Sequence, residues 1–277
     1  MYISYEQFIK KLEEKIKIED TEYKKLIENI IKYPERYTGE FRLTNSKTKL
    51  IQNLTQSQEI RFGDFLVNII ENYFLINKYN KLEKRIINNK EILFIDHLFE
   101  KNNQIFMIEQ KIRDDHDSTK KRGQLDNLFK KYDSISKIYK DKTIYVFMWF
   151  LDASLRKNNK YYQNQIDIFK KENNNIYLFY GNELFNFLKM QKMWDELLNH
   201  LKRYKNEKDN EVIYIPDFDK STEILKQLIV LKEKLWNKLI SSDEKYKNLR
   251  KEFFPNNINI SKAKKLRNQK EKNDRCK

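Results

Sequence analysis

The chain has 277 residues, 39% of them hydrophobic, with 17 Tyr, 18 Phe and 3 Trp, and a formal net charge of +15 from 56 basic and 41 acidic residues. That much apolar material excludes wholesale disorder, and the basic surplus points to a polyanionic partner; the alternative is the Lys-, Asn- and Ile-rich composition typical of AT-rich genomes. The single cysteine, Cys276, excludes an internal disulfide, no run of about 18 apolar residues offers a membrane span, and the N-terminus lacks a basic-then-apolar leader, so a soluble cytoplasmic protein is expected.

Residues 5–33 carry Phe8, Ile9, Leu12, Ile16, Leu26, Ile27 and Ile30 at three- and four-residue steps, which predicts helix up to Pro34. "YPERYTGEFRLTNSKTK" reads as a loop by its Pro, Gly, Thr and Ser. Helix returns from about Ser57 to Tyr79, through Phe62, Phe65, Leu66, Ile69, Ile70, Tyr73 and Phe74. Two strands are predicted over 91–100 and 104–113, then a helix from Ser118 to Ile138. "KTIYVFMWFLD" is apolar on both faces, as in a strand inside a covered sheet. After a polar helical stretch, "NNIYLFYGNELFNFLKM" gives a fourth strand and a helix beginning near Gly181, and 219–250 gives one more helix. The tail from Ser261 has eight basic and two acidic residues, net +6, and is expected to be frayed or irregular, lying along nucleic acid.

The order of elements predicts an α/β fold: one mixed central β-sheet flanked by helices, with additional helical N- and C-terminal segments. The expected organisation is an N-terminal helical segment over 1–54, a core over 55–200, a C-terminal helical segment over 201–260 serving DNA contact or dimerisation, and a basic tail over 261–277.

The hairpin carries the chemistry. A tight turn at Asn102-Asn103, where Asn tolerates positive φ, makes paired positions sum to 205. Phe99 then faces Phe106, and Asp96 faces Glu109. Alternation along the strand puts Glu109 and Lys111 on one face and Gln110 on the other. Two carboxylates in opposed positions repel, and burial sharpens the cost. A divalent cation between them would offset it, and Lys111 would offset part of it. An ordinary wet ion-pair ladder is the competing reading.

At Asp96, twelve intervening residues, then Glu109-Gln110-Lys111, the sequence resembles the PD-(D/E)xK nuclease superfamily, and within it the type II restriction endonucleases. The Pro of the motif is absent; Ile95 stands there. A helix before the hairpin and the strand–helix–strand order after it fit the same resemblance, which covers roughly residues 55–190 and implies a restriction-endonuclease-like catalytic core. "QSQEIRFGDFLVNIIENYF" resembles the opening helix of that group, where an acid after the Gly joins the metal site. Val67 holds the first position to look at, so Asp64 and Glu71 become the candidates, Glu71 slightly preferred.

The resemblance implies hydrolysis of phosphodiester bonds in double-stranded DNA at a short specific sequence. Asp96, Glu109 and Glu71 would hold Mg²⁺, and Lys111 would orient or activate the water or contact the scissile phosphate. It also implies a homodimer on a palindromic site and a methyltransferase in the same cell that protects host DNA. The segment after the motif supplies the expected DNA contacts: Arg113, Asp117, Ser118, Thr119, Lys120, Lys121, Arg122 and Gln124. Asp117 or Ser118 would cap a helix N-terminus, which favours phosphate. His116 in "DDHD" is read as a loop histidine.

Other chemistries lack material. Three histidines and one cysteine do not make a zinc site or an HNH nuclease, and no GxGxxG, GxxxxGK[ST] or GxSxG stands in the sequence. Two rivals remain at this level: another nuclease of the same superfamily acting in repair or junction resolution, and a non-catalytic basic nucleic-acid-binding module.

Overall fold

In the computed structural model, which describes residues 1–16, 20–88, 91–170, 175–208 and 215–275, the chain divides into two units. One is Met1–Lys15 with Arg61–Asp209; the other is Ile16–Ile60 with Asn210–Lys277. Helices come first: α1 (Tyr5–Ile16), α2 (Asp20–Lys32), α3 (Glu35–Thr38) and α4 (Ser46–Ile76). The stretch 33–49, expected to be a loop, thus contains α3 and the first turn of α4, which begins well before the expected start at Ser57. Asn45 starts α4 by accepting from Thr48 N at 2.8 Å.

The strands follow: β1 (Asn80–Lys81), β2 (Arg85–Asn88), β3 (Glu91–Phe94), β4 (His97–Lys101) and β5 (Gln104–Lys111). After α5 (Ser118–Ile138) come β6 (Thr143–Phe150), α6 (Asn159–Lys170), β7 (Ile176–Tyr180), α7 (Glu183–Phe187) and α8 (Gln191–Glu207). Five strands form a mixed sheet in the order β1-β4-β5-β6-β7, with β4 antiparallel to β5 and both β5–β6 and β6–β7 parallel. Asn102 and Asn103 take φ of 51° and 58°, and the hairpin pairs Lys101 with Gln104 and Phe99 with Phe106, the register expected from the turn.

The strand expected over 91–100 is two strands. β3 leaves the main sheet and pairs with β2 in a separate antiparallel ribbon, Arg85 opposite Phe94. The chain bends at Asp96, one residue before β4. There the Asp96 carboxylate, not a strand neighbour, takes the hydrogen of Gln110 N, Oδ2 to N 2.8 Å.

Sheet alternation sorts the core into two faces. On one, Leu98, Met107, Val146, Met148 and Phe150 pack against Leu125, Leu128 and Ile135 of α5 and Tyr162 and Ile166 of α6. On the other, aromatic rings dominate: Phe99 stacks on Phe74 of α4 at 4.6 Å, and Trp149 meets Phe185 of α7 and Trp194 of α8. Gly181, with φ of +53° and Ala153 Cβ only 2.9 Å from where a side chain would start, turns the chain out of β7.

The second unit is helical. Residues 219–250, expected as one helix, form three: α9 (Thr222–Ile229), α10 (Glu233–Ile240) and α11 (Glu244–Phe253). Ser221 and Asp243 cap α9 and α11 by accepting from Ile224 N and Lys245 N, side-chain bonds that end one helix's periodicity and start another. The tail, expected to be irregular, continues as α12 (Ile258–Arg275). Buried Asp219 accepts from Asn256 N and Ile258 N at 2.7 Å each, Ile260 and Ala263 are buried, and Arg267 donates to the carbonyls of Leu228, Ile229 and Leu231. Those anchors fix the helix that charge counting alone missed. Cys276 lies outside the described residues. No described helix is long and apolar enough to cross a membrane.

Candidate active site

The end of β5 gathers four charged side chains from three elements. Glu109 and Lys111 project from the sheet face that α5 covers, Asp96 comes from the bend before β4, and Lys131 comes from α5. The Lys111 ammonium touches three oxygens: Glu109 Oε1 at 2.7 Å, Gln110 O at 3.0 Å and Asp96 Oδ2 at 3.2 Å. The second Glu109 oxygen, Oε2, is 2.6 Å from Lys131 Nζ. Glu109 is therefore clasped by one ammonium at each oxygen, and the two acids are joined through a shared cation.

Burial makes this arrangement meaningful. Glu109 and Lys131 are almost wholly buried, while Asp96 and Lys111 remain about one-third and one-quarter exposed, 30% and 24%. The cluster thus opens to solvent on the Asp96–Lys111 side. Burial pushes the Lys111 pKa down, but the Glu109 and Asp96 carboxylates outweigh it and hold the group above the ordinary lysine value. Lys111 stands charged at neutral pH.

Glu71 of α4 enters the network indirectly. Lys81 Nζ and Lys84 Nζ bind its two oxygens at 2.5 and 3.1 Å, and the same Lys84 donates to the Asp96 carbonyl at 3.1 Å. Burial pushes the Glu71 carboxyl up; the two lysines overcome this and hold it below the usual range. Asp64, the other candidate acid on α4, is exposed and makes no bond to this cluster.

Behind the site, His97 is fully buried between Phe74 and Phe99, with Nε2 2.8 Å from Gln110 Oε1. Burial holds the imidazole below its ordinary pKa. Gln110, on the opposite face from Glu109, is thereby gripped at both ends: Asp96 takes its N–H and His97 its side-chain oxygen. A second buried acid, Asp114, anchors the chain just past β5. It accepts from Asn158 N at 2.9 Å, Asn158 Nδ2 at 2.8 Å and Tyr180 OH at 2.9 Å.

The segment expected to touch DNA lies on the turn into α5. Asp117 caps that helix, accepting from Lys120 N at 2.8 Å, and this bond holds its carboxyl below the usual range. Ser118, Thr119, Lys120 and Arg122 are exposed, as is Arg113, whose guanidinium is 3.9 Å from Asp115. Lys121 sits 4.5 Å over the Tyr161 ring. Gln124 turns inward and accepts from Tyr162 OH at 2.9 Å. His116 is a loop residue with Nδ1 3.6 Å from Asp115, and its carbonyl accepts from Asn158.

The donor set suits a hard divalent cation in kind, with two carboxylate oxygens and one peptide carbonyl oxygen converging on a single cationic centre. The cation at that centre is the Lys111 ammonium. Among the described residues, no group of three or more His, Cys, Asp or Glu side chains is spaced to share a metal. The third oxygen here is a main-chain one, a donor that a count of side chains does not include. Lys131 is the residue that sequence reasoning missed. Its only signal was a lysine on the apolar-facing side of α5, six residues after Leu125 and three after Leu128, both buried.

A family model described as type II restriction endonuclease, HinfI, matches residues 75–205, a little under half of the chain. The matched span includes Asp96, Glu109, Lys111 and Lys131; Asp64 and Glu71 precede it. The match supports a restriction endonuclease, hence a nuclease that binds DNA. No curated protein and no solved structure matches the chain.

Proposed function

We propose that this chain is a Mg²⁺-dependent type II restriction endonuclease of PD-(D/E)xK type, hydrolysing phosphodiester bonds of double-stranded DNA at a short specific sequence. One observation carries the reading: Asp96 Oδ2, Glu109 Oε1 and Gln110 O converge on one cation at the exposed end of β5, within the segment that matches a restriction-endonuclease family. Neither a wet ion-pair ladder nor a plain binding surface requires a carboxylate as buried as Glu109.

Asp96, Glu109 and the Gln110 carbonyl would hold Mg²⁺; the bound ion supplies charge neutralisation and an acidified water. Lys111 is charged and one-quarter exposed, so once the three oxygens take another cation its ammonium is free to meet the scissile phosphate or orient the attacking water. Glu71 completes the acidic side through Lys84, as the upstream acid of the site. Asp64 has no such link. Exposed Ser118, Thr119, Lys120 and Arg122, opening a capped helix, offer backbone N–H groups and cations to phosphates. A two-fold dimer reading a palindrome, a protecting methyltransferase in the same cell and a cytoplasmic setting belong to the same proposal, on the strength of the family resemblance.

Incubation of the protein with plasmid DNA and Mg²⁺ tests the proposal. Discrete fragments that vanish with chelator support it. A smear indicates a nuclease without sequence choice, and bound but intact plasmid overturns the catalytic reading.

A further inference from the structure

The second unit contains a cleft of about 640 Å³ between α2, α3 and α4. Among the described residues its rim carries Lys25, Arg36, Arg42 and Lys49 against one acid, Glu22. Glu22 accepts a hydrogen bond from Ser57. Among the described residues none of the four cations has a carboxylate partner. Elsewhere in the same unit cations do find acids: Lys32 with Glu28, Lys247 with Glu244, Arg267 with Glu233. What sets the cleft apart is that its four cations gather on one concave surface.

Two details sharpen it. Among the described residues Arg42 Nε is buried with no acceptor, and its guanidinium makes a 3.5 Å contact to Thr44 Oγ1. On either side of Arg42, Phe41 and Leu43 stand fully exposed. The loop that displays them is tied at its base by Ser46 Oγ to the Tyr37 carbonyl and by Thr48 Oγ1 to Asn45. Cations lacking an anion, next to apolar side chains lacking cover, fit a ligand with regularly spaced phosphates and exposed sugar and base surface.

We propose that this cleft holds the phosphate backbone of double-stranded DNA, with Phe41 and Leu43 packing on the sugar or base edges beside it. The inference rests on the reading of the chain as a DNA nuclease and adds a second DNA-holding surface, on the helical unit. Lys25, Arg36, Arg42 and Lys49 supply affinity; they are binding residues and take no part in bond cleavage.

The test uses the full chain in chelator with a fluorescent duplex, its anisotropy followed from about 50 to 300 mM salt, the range in which phosphate contacts show. The variant carrying Lys25→Ala, Arg36→Ala, Arg42→Ala and Lys49→Ala should lower the slope of log affinity against log salt by up to about 3.6, four contacts at about 0.9 each. The variant Lys234→Ala with Lys238→Ala, on exposed positions of α10, should leave the slope unchanged. Phe41→Ala with Leu43→Ala should weaken binding about tenfold without altering the slope, because no charge is lost. If the fourfold variant melts early, the single variants Lys25→Ala and Arg42→Ala each lower the slope by about 0.9. An unaltered slope in either form overturns the proposal, as does a loss of affinity for a non-nucleic polyanion such as heparin with none for DNA.

Cleavage separates this inference from the one beneath it. At saturating DNA with Mg²⁺ the fourfold variant should keep its kcat and raise its KM. A wild-type protein that cuts nothing yet shows the slope change would leave the cleft standing and remove the nuclease.

Discussion

Lys131 Nζ and Glu109 Oε2 lie 2.6 Å apart in the core, with side chains only 5% and 6% exposed. Two charges removed from water this completely are costly, and their attraction repays the cost only while both remain. Glu109 keeps a second ammonium, Lys111, on its other oxygen. The pair thus fixes the direction of the carboxylate and leaves Lys111 as the partner that can leave.

Lys131→Met should therefore destabilise the fold by about 3 kcal/mol, the lower end for a broken buried pair because Lys111 remains. Urea unfolding measures it. Adding Glu109→Gln to Lys131→Met should cost less than the sum of the two single changes, since the second substitution removes the charge that the first left unpaired. Additive losses would mean that the two side chains do not interact.

His97 sets a pH dependence of stability. Its imidazole is held below the ordinary 6.5 by burial, so the unfolded chain takes up the proton first. Stability is full above about pH 6.5 and falls as the pH drops below that value toward the folded-state pKa. Glu71, also held low, acts only below its own ordinary 4.5; it, Lys84 and Asp96 are the charged groups near the ring. With His116→Asn in both proteins to remove the other low-pKa imidazole, His97→Phe should flatten the fall between pH 7 and pH 5.5 in urea unfolding. An unchanged slope would place the titration elsewhere.

Much of this site was legible because its determinants are local. Two asparagines that accept positive φ set the hairpin turn, and the turn set the register that brings Asp96 toward Glu109. Alternation then put Glu109 and Lys111 on one face. What the sequence hid is non-local. Lys131 is 22 residues from Glu109, and a lysine in a helix of low mean hydropathy reads as solvated until the sheet is in place beneath it. Asp96 was read as a strand residue because its neighbours are apolar, whereas its carboxylate takes a main-chain donor and bends the chain. Of the breaks among the three short helices after Ser221, the Asp243 cap marks the one before α11, whereas the one before α10, at Lys232, has no side-chain cap to announce it.

The upstream acid can be assigned by comparing two conservative changes. Glu71→Gln breaks the link through Lys84 to Asp96 and should slow single-turnover cleavage about tenfold or more, as loss of an outer-shell partner does. Asp64→Asn should leave the rate within about twofold, being an exposed change away from the cluster. The reverse order would make Asp64 the upstream acid.

The central claim is that the Asp96–Glu109–Lys111 cluster cuts DNA with a divalent ion. Single-turnover cleavage of plasmid in Mg²⁺ by wild type, Glu109→Gln and Lys111→Ala tests it most directly, with duplex binding in chelator as the control. The account predicts that both variants bind DNA as wild type does and cut it about 10² to 10³ times more slowly. Cutting at the wild-type rate by either variant, or by wild type without any divalent ion, would contradict it.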